Sequence, residues 1–366
     1  MPDDQAAQAG VKIEAEPDAA ASPLSKPTIP QVAPQVLGQV YTLGCLTSRQ
    51  VLGLHHEHIK VRSMRRILQR LAGAGLLACT EMMVESSPNV ARLSGVDGTR
   101  SNFLREPSSR SSEKVYELTD EGKRFVADGL EIPGRRVHQL YKRNHATGRM
   151  QHSLLRNEFL LEFVGHCRES GSYAAGDYCA EGGAGPIELD TKTKFSQRNL
   201  WPDGVASICN KGDSTTAARS FFIEADTGSQ RGAHVREKVQ HYAEMYLGDL
   251  LADADGSDLS KEDRELVGRT RSWRPFTVVP KRGRPAPVVF VSYYAQRSQA
   301  VSELIKESAT RGSVFDRLGK HMNSRGMGSA ADLFLLTNLQ AIRNRGHQKP
   351  WYETAGNDRS TDLMDA

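Results

Sequence analysis

Residues 221–226 read Phe-Phe-Ile-Glu-Ala-Asp, a short apolar run that ends in two acids. Its length and its aromatic and branched residues predict a buried β-strand. Because side chains alternate along a strand, Glu224 and Asp226 lie on one face and Ile223 and Ala225 lie on the other. The run therefore predicts a sheet with two carboxylates at one end.

The residues before this strand predict a hairpin. Residues 210–214, Asn-Lys-Gly-Asp-Ser, are turn formers that follow a second apolar run. A hairpin centred near Asp213 places Asp203 opposite Glu224, and Pro202 bends the chain where the first strand begins. Asp203, Glu224 and Asp226 are then expected to gather at the same end of the sheet.

Carboxylates packed this closely repel one another unless a cation or a proton lies between them. Hard oxygen ligands suit Mg²⁺ or Mn²⁺, so Asp203 and Glu224 are the predicted metal ligands. Lys238 lies on the apolar stripe of the next predicted helix and is expected to bring an ammonium near the acids. A structural interpretation stays open, in which Asp226 caps that helix, Glu224 is a paired edge residue and Lys238 extends into solvent.

The surrounding sequence predicts a mixed sheet flanked by helices over residues 149–345. Residues 248–287 are interpreted as a basic polar insertion, and residues 346–366 as a flexible C-terminal tail. The predicted helices are 150–170, 231–247 and 297–309, and the predicted strands are 173–180, 204–209, 220–225, 288–294 and 332–337.

A separate pattern precedes this region. Residues 1–35 are rich in alanine, proline and acids and predict a disordered tail. Within residues 36–135, a helix is predicted over 46–52, with Thr47 or Ser48 as its N-cap. A second helix is predicted over 61–71, with an apolar face, and strands over 76–77 and 114–118 precede a helix capped by Thr119. The apolar face of the second helix comprises Val61, Met64, Leu68 and Leu71.

Positive charge is concentrated in two stretches. The chain has a net charge of +4, but residues 47–75 alone carry +5 and residues 267–284 carry +6 without an acid. Such clusters are typical of proteins that bind a polyanion, although a solvated basic face without a partner stays open. The predicted DNA contacts are Lys60, Arg62, Arg65, Arg66, Arg70, Arg100, Arg105, Arg110, Arg282 and Arg284.

The phrase R-x-L-x-x-L at 66–71, then G-L-L at 75–77 and Y-x-L-T-x-x-G at 116–122, resembles the winged helix-turn-helix family. The resemblance implies that residues 60–71 are a recognition helix and that residues 86–113 are a long wing. Residues 280–285, Pro-Lys-Arg-Gly-Arg-Pro, resemble an AT-hook, which binds the minor groove. A connecting loop explains the same residues.

Three further segments resemble the replication-relaxation family of plasmid and mobile-element proteins: Pro-Asp-Gly at 202–204, residues 222–228 and residues 238–242. The helix start His-Ser-Leu-Leu-Arg-Asn-Glu at 152–158 is similar too. The same block resembles the nuclease superfamily whose signature is Pro-Asp, a spacer and Asp/Glu-x-Lys. Asp226 stands where that signature has lysine, so either Lys238 replaces the lysine or the site is inactive.

These resemblances imply an α+β chain, with a winged helix-turn-helix followed by a restriction-endonuclease-like mixed α/β sheet domain. They imply binding of double-stranded DNA in the replication, relaxation or mobilisation of a mobile element. One alternative is a Mg²⁺- or Mn²⁺-dependent nickase or endonuclease. A second is a non-enzymatic transcriptional regulator or assembly factor. Replication or mobilisation proteins and a second copy of the chain are the expected protein partners. The residues implied in catalysis are Asp203, Glu224, Asp226 and Lys238.

Composition excludes other classes. No run approaches the ~20 apolar residues of a membrane span, and the five cysteines form no C-x-x-C pair, so a cytoplasmic protein is expected. The cluster His-His-Glu-His at 55–58 is interpreted as a polar turn rather than a metal site. His152, His234 and His241 are not expected to be ligands, and no catalytic triad is indicated.

Overall fold

The fold is seen in a computed structural model, which describes residues 30–55, 59–82, 113–129, 147–180, 187–188, 199–200, 202–228, 232–252, 259–270, 279–280, 286–339, 352–354 and 360–361. The described strands form two main sheets, and helices lie between the strands in the sequence. The protein is therefore α+β, as the sequence predicts. We call residues 30–129 the N-terminal unit and residues 147–361 the sheet unit.

The N-terminal unit combines four helices with a three-stranded antiparallel sheet of order β1-β3-β2. The first helix begins at Ala33, inside the stretch expected to be a disordered tail. The elements are α1 (Ala33–Leu43), β1 (Cys45–Thr47), α2 (Ser48–His55), α3 (Val61–Gly73), β2 (Leu77–Met82), β3 (Glu113–Leu118) and α4 (Asp120–Gly129).

Two helix starts show how local sequence sets these bounds. Thr47 Oγ1 accepts a hydrogen bond from the Gln50 amide at 3.2 Å, and Gln50 Oε1 accepts one from the Thr47 amide at 3.1 Å. This reciprocal cap confirms Thr47 as the N-cap. The prediction that the helix starts at Leu46 is wrong, because Leu46 pairs with Tyr116 in the small sheet. Thr119 caps α4 as predicted, since its Oγ1 accepts from the Gly122 amide at 3.0 Å.

The sheet unit is built on one long helix and an eight-stranded sheet. Its helices are α5 (Thr147–Glu169), α6 (Gly232–Ala252), α7 (Lys261–Thr270), α8 (Ala295–Ser308) and α9 (Val314–Ser324), with a 3-10 turn at Ala330–Leu333. Its strands are β4 (Tyr173–Ala180), β7 (Gly204–Asn210), β8 (Asp213–Asp226), β9 (Val279–Pro280), β10 (Val288–Ser292), β11 (Phe334–Asn338), β12 (Tyr352–Thr354) and β13 (Ser360–Thr361), and a separate pair is β5 (Ile187–Glu188) and β6 (Asn199–Leu200).

The large sheet is mixed, with the order β13-β12-β11-β10-β8-β7-β4, and β9 pairs with β8. Strands β8, β10 and β11 are parallel, whereas β7 is antiparallel to both of its neighbours, β4 and β8. Parallel neighbours need crossover connections, which α6 and α8 supply. Strand β8 therefore lies inside the sheet, with its hairpin partner β7 on one side and its crossover partner β10 on the other.

The two faces of this sheet pack into different cores. Ile223 and Ala225 face a core that contains Phe159 of α5, whereas Phe222 faces a core that contains Val239 of α6. The α5 core continues into the N-terminal unit, where it includes Leu37, Leu46, Met64, Leu68 and Tyr116. The N-terminal unit and the sheet unit thus share one hydrophobic core through α5.

Two segments contain more structure than the sequence predicts. Residues 248–287, interpreted as a polar insertion, include the end of α6, all of α7 and the short strand β9. Residues 346–366, interpreted as a flexible tail, include β12 and β13 at the edge of the sheet. Both segments are short in apolar residues, so hydrophobic periodicity gives little signal there.

Candidate functional site

The hairpin brings Asp203 to Glu224 as predicted. Gly204 pairs with Ile223 and Val205 pairs with Phe222, so Asp203 lies at the level of Glu224. Asp203 Oδ2 accepts a hydrogen bond from the Ala225 amide at 2.9 Å. The turn itself is at residues 211–212, earlier than predicted, and register shifts near Ile208 and Cys209 compensate for this difference.

Glu224 is a buried acid held by two side chains of α6. Only 1% of the residue is exposed. The Tyr242 hydroxyl donates to Glu224 Oε1 at 2.7 Å, and the Lys238 ammonium contacts Oε2. Burial raises the pKa of Glu224 to about 8, and neighbouring Asp203 adds to this shift while Lys238 opposes it. The pKa of this carboxyl group is therefore much closer to neutral pH than that of an exposed glutamate.

Asp203 is contacted from both faces of the sheet. On one side, His152 Nε2 of α5 lies 3.3 Å from Asp203 Oδ2, and on the other, Lys238 Nζ lies 3.7 Å from the same oxygen. Burial would raise the pKa of Asp203, but Lys238 and His152 outweigh burial and lower it. The pKa values of Asp203 and Glu224 are thus shifted in opposite directions because their environments differ.

His152 belongs to this cluster, although it was not among the predicted site residues. Its Nε2 contacts the Ala225 carbonyl oxygen, which can only accept, so Nε2 carries the hydrogen. Burial lowers the pKa of His152, while Asp203 opposes the shift. The motif at 152–158 was the available signal, because it matched a family pattern at the start of α5.

Asp226 is turned to a different partner. Its Oδ2 accepts from Arg297 Nε at 3.0 Å and lies 2.9 Å from Arg297 NH2, and its Oδ1 accepts from the Gly228 amide at 2.8 Å. Arg297 is in the first turn of α8, which follows β10, and Ser292 at the end of β10 pairs with Asp226. The three carboxylates predicted to gather are therefore held by two different cations. Lys238 contacts Asp203 and Glu224, and Arg297 contacts Asp226.

Behind the acids, α5 provides a buried polar contact to the N-terminal unit. Arg156 NH1 donates to the Asp203 carbonyl at 3.0 Å, and its NH2 donates to the Leu43 carbonyl at 2.7 Å. Asn157 Nδ2 donates to the Cys45 carbonyl at 2.6 Å. Arg156 and Asn157 also belong to the 152–158 motif, and neither was predicted to act at the site.

The predicted DNA-binding residues are only partly within the described structure. Lys60, at the N-cap of α3, and the arginines of α3 are exposed: Arg62, Arg65, Arg66 and Arg70. Val61 is 47% exposed, so its assignment to the apolar face is wrong, while Met64, Leu68 and Leu71 are buried. Val61 lies in the first turn, beyond the edge of the core. Arg100, Arg105, Arg110, Arg282 and Arg284 lie outside the described residues, as does most of the 55–58 histidine cluster.

In the described part of the structure, no group of three or more histidine, cysteine, aspartate or glutamate side chains is arranged to hold a metal ion. No helix in the same part is long and apolar enough to cross a membrane.

Comparison with known proteins identifies the family. Neither the curated proteins nor the solved structures gave a significant match. A family model described as replication-relaxation matches residues 37–257, which include the N-terminal unit and the strands and helices that carry Asp203, Glu224 and Lys238. The match covers more than half of the sequence, and the chain therefore belongs to the replication-relaxation family.

Proposed function

We propose that the protein binds double-stranded DNA through α3 and acts in the replication or relaxation of a plasmid or other mobile element. Membership of the replication-relaxation family supports this setting. The element order α2-α3-β2-β3-α4, with a three-stranded sheet beside the helices, supports a winged helix-turn-helix interpretation with α3 as the recognition helix.

The charge of α3 is the observation that carries the proposal. Its sequence contains no acid, and its exposed side presents Arg62, Arg65 and Arg66. None of these three forms an ion pair with a residue in the described ranges. Guanidinium groups that form no ion pair within the described ranges are available to phosphates and base edges, and release of DNA counterions would drive the association.

A mobility-shift titration with duplex DNA at several salt concentrations tests this function. Replacing Arg65 and Arg66 together by alanine should weaken binding by at least about tenfold and make its salt dependence shallower. The matched control replaces Arg311 and Arg325, which are exposed arginines of the sheet unit. Salt-independent binding, or an equal loss in the control, would contradict the proposal.

A second candidate function is metal-dependent nicking or cleavage of DNA. It is favoured by the meeting of Asp203, Glu224 and Lys238, since Lys238 reaches both acids from α6. The order α5-β4-β7-β8-α6-β10 also supports the resemblance to the restriction-endonuclease-like nucleases. In this interpretation Lys238 takes the place of the signature lysine that Asp226 replaces.

The donor chemistry fits Mg²⁺ or Mn²⁺, because such ions bind through one or two carboxylates and complete their shell with water and phosphate oxygens. Asp203 and Glu224 would hold the ion, which when bound would activate water and neutralise charge on the phosphate. The Ala225 amide orients Asp203, and the Tyr242 hydroxyl orients Glu224. Lys238 would donate to the negative charge that develops during the reaction.

Supercoiled plasmid incubated with Mg²⁺ or Mn²⁺ tests the second candidate. Asp203→Asn and Glu224→Gln should each abolish nicking and leave DNA binding intact, whereas Glu303→Gln, on the exposed side of α8, should change neither. Calorimetry should detect Mn²⁺ binding that Asp203→Asn removes. DNA binding without nicking and without a Mn²⁺ signal would exclude this candidate.

The remaining alternative is a non-enzymatic regulator or assembly factor. It is favoured by the contacts that the protein itself makes with the buried carboxyl groups. Lys238 and Tyr242 contact Glu224, and Arg297 contacts Asp226. Such a site is stable without a metal ion. A protein that binds DNA but fails the nicking and calorimetric tests would have this role.

A further inference from the structure

Arg156 connects two parts of the chain that carry the two proposed activities. The residue is 3% exposed, and its guanidinium lies between the sheet unit and the N-terminal unit. On one side it donates to the backbone carbonyl of Asp203, and on the other to the carbonyl of Leu43, which precedes β1. A single side chain thus bridges the acidic site and the unit that contains α3.

We infer that Arg156 is a positioning residue, which fixes the Asp203 segment against the end of α1, just before β1, so that the geometry of the acidic site depends on the N-terminal unit. The inference goes beyond the proposed function and does not require that the site cut DNA. Arg156 contacts the backbone of Asp203 rather than its carboxylate, so it acts on where Asp203 lies.

The location of Asp203 explains why this support is needed. Asp203 precedes β7, and the strand ladder begins only at Gly204. Its carboxylate receives His152 from one face and Lys238 from the other, so a shift of its backbone would alter both contacts. Outside the ladder, the Asp203 carbonyl relies on the Arg156 bond at 3.0 Å.

Further hydrogen bonds connect this part of α5 to the N-terminal unit. Arg156 Nε and NH2 donate to Asn157 Oδ1 at 3.0 and 2.9 Å, which orients the guanidinium plane. Asn157 in turn donates to the Cys45 carbonyl, and buried Gln50 of α2 donates to Glu158 Oε1 at 3.0 Å. Three consecutive residues of α5 therefore hold β1 and the start of α2.

The bridge between the two carbonyl groups depends on the planar shape of the Arg156 guanidinium rather than on its charge. An arginine presents several donors in a fixed arrangement, whereas a lysine ammonium is a compact charge that cannot reproduce separated contacts in different directions. Arg156→Lys therefore keeps the charge beside His152 and Asp203 but removes the bridge. If Arg156 served only to balance buried acids, the lysine variant would behave as the wild type does.

Hydrogen–deuterium exchange with mass spectrometry on the full chain tests the inference. Arg156→Lys should accelerate exchange by about tenfold in peptides covering 45–47 and 203–205, and should leave peptides covering 288–292 and 334–338 unchanged. The matched control is Arg168→Lys, an exposed arginine of the same helix that also donates to a carbonyl, that of Gly53. A uniform acceleration, or no change at 203–205, would overturn the positioning role.

A second measurement needs no variant and applies if Arg156→Lys does not fold. In wild-type protein at increasing sub-denaturing urea, peptides covering 45–47 and 203–205 should open with the same free energy and the same urea dependence. Different opening free energies for the two segments would show that the bridge does not couple them, and would overturn the inference. Neither measurement involves DNA or metal, so its result is independent of the proposed function.

Discussion

The Lys238 ammonium contacts the Glu224 carboxylate between α6 and the central sheet, where both side chains are largely removed from solvent. A buried charge pair adds little to stability relative to an apolar pair of the same volume. Removing only one partner is costly, because the other charge remains buried without compensation. Replacing Lys238 alone should therefore destabilise the folded protein.

Lys238→Met should lower the free energy of unfolding by about 3 kcal/mol, since the carboxylate of Asp203 would remain buried beside Glu224 without a cation. Urea denaturation followed by circular dichroism measures the change. Lys306→Met is the matched control, because Lys306 pairs with Glu303 on the exposed side of α8. Equal effects of the two substitutions would contradict the buried pair.

The Arg297–Asp226 contact allows a sharper comparison, because Arg236 and Glu307 make the same contact on the surface. In both pairs the arginine Nε and NH2 approach one carboxylate oxygen. Double-mutant cycles with Arg→Gln and the amide of each acid should give a coupling of about 2–3 kcal/mol for the buried pair and below about 1 kcal/mol for the exposed pair. A buried coupling no larger than the surface one would argue against a structural role for Asp226.

Helix α3 contains a buried and an exposed apolar residue whose substitutions should affect stability very differently. Met64 is fully buried in the shared core, so Met64→Ala should cost about 2–5 kcal/mol in unfolding free energy. Val61 is largely exposed, so Val61→Ala should stay within about 0.5 kcal/mol of wild type. Chemical denaturation measures both. A large loss at Val61 would mean that this residue packs as the helical spacing predicts.

The sequence predicted the β7–β8 hairpin because two local signals agree there. A short apolar run with aromatic and branched residues identified residues 221–226 as a strand, and turn formers before it defined a hairpin. Together these signals placed Asp203 opposite Glu224, as the register confirms. The turn position was less accurate, because register shifts in a hairpin leave no clear mark in an isolated sequence.

The partners of the acids depend on tertiary structure, which explains why several were missed. Arg297 reaches Asp226 only because β10 lies beside β8 in parallel register, a pairing that joins distant residues. His152 reaches Asp203 because α5 packs on the opposite face from α6. Lys238 was predictable, since its stripe directly follows the acidic strand and already indicated the side facing the sheet.

The ionisation of Glu224 predicts how stability changes with pH. The pKa of this carboxyl is raised from 4.5 to about 8 in the folded protein, first by burial and then by Asp203. Between these values the folded state holds a proton that the unfolded state has released, so stability must fall as pH rises. The pKa values of two neighbours are lowered instead, and they affect stability in other pH ranges. The shift of His152 makes stability rise with pH only up to about 6.5. The shift of Asp203 makes stability rise with pH only below about 3.8.

The window from pH 6.5 to 8 therefore separates the effect of Glu224 from those of His152 and Asp203. In this range the midpoint of thermal unfolding should decrease with pH in the wild type, and Glu224→Gln should flatten the decrease, because an amide does not titrate yet can still accept from Lys238 and Tyr242. Differential scanning calorimetry in buffers of equal ionic strength measures the slope. Glu307→Gln, a surface acid of α8, should keep the wild-type slope. If Glu224→Gln retained the full slope as well, the proton would reside on another group, and Glu224 would be ionised beside Lys238.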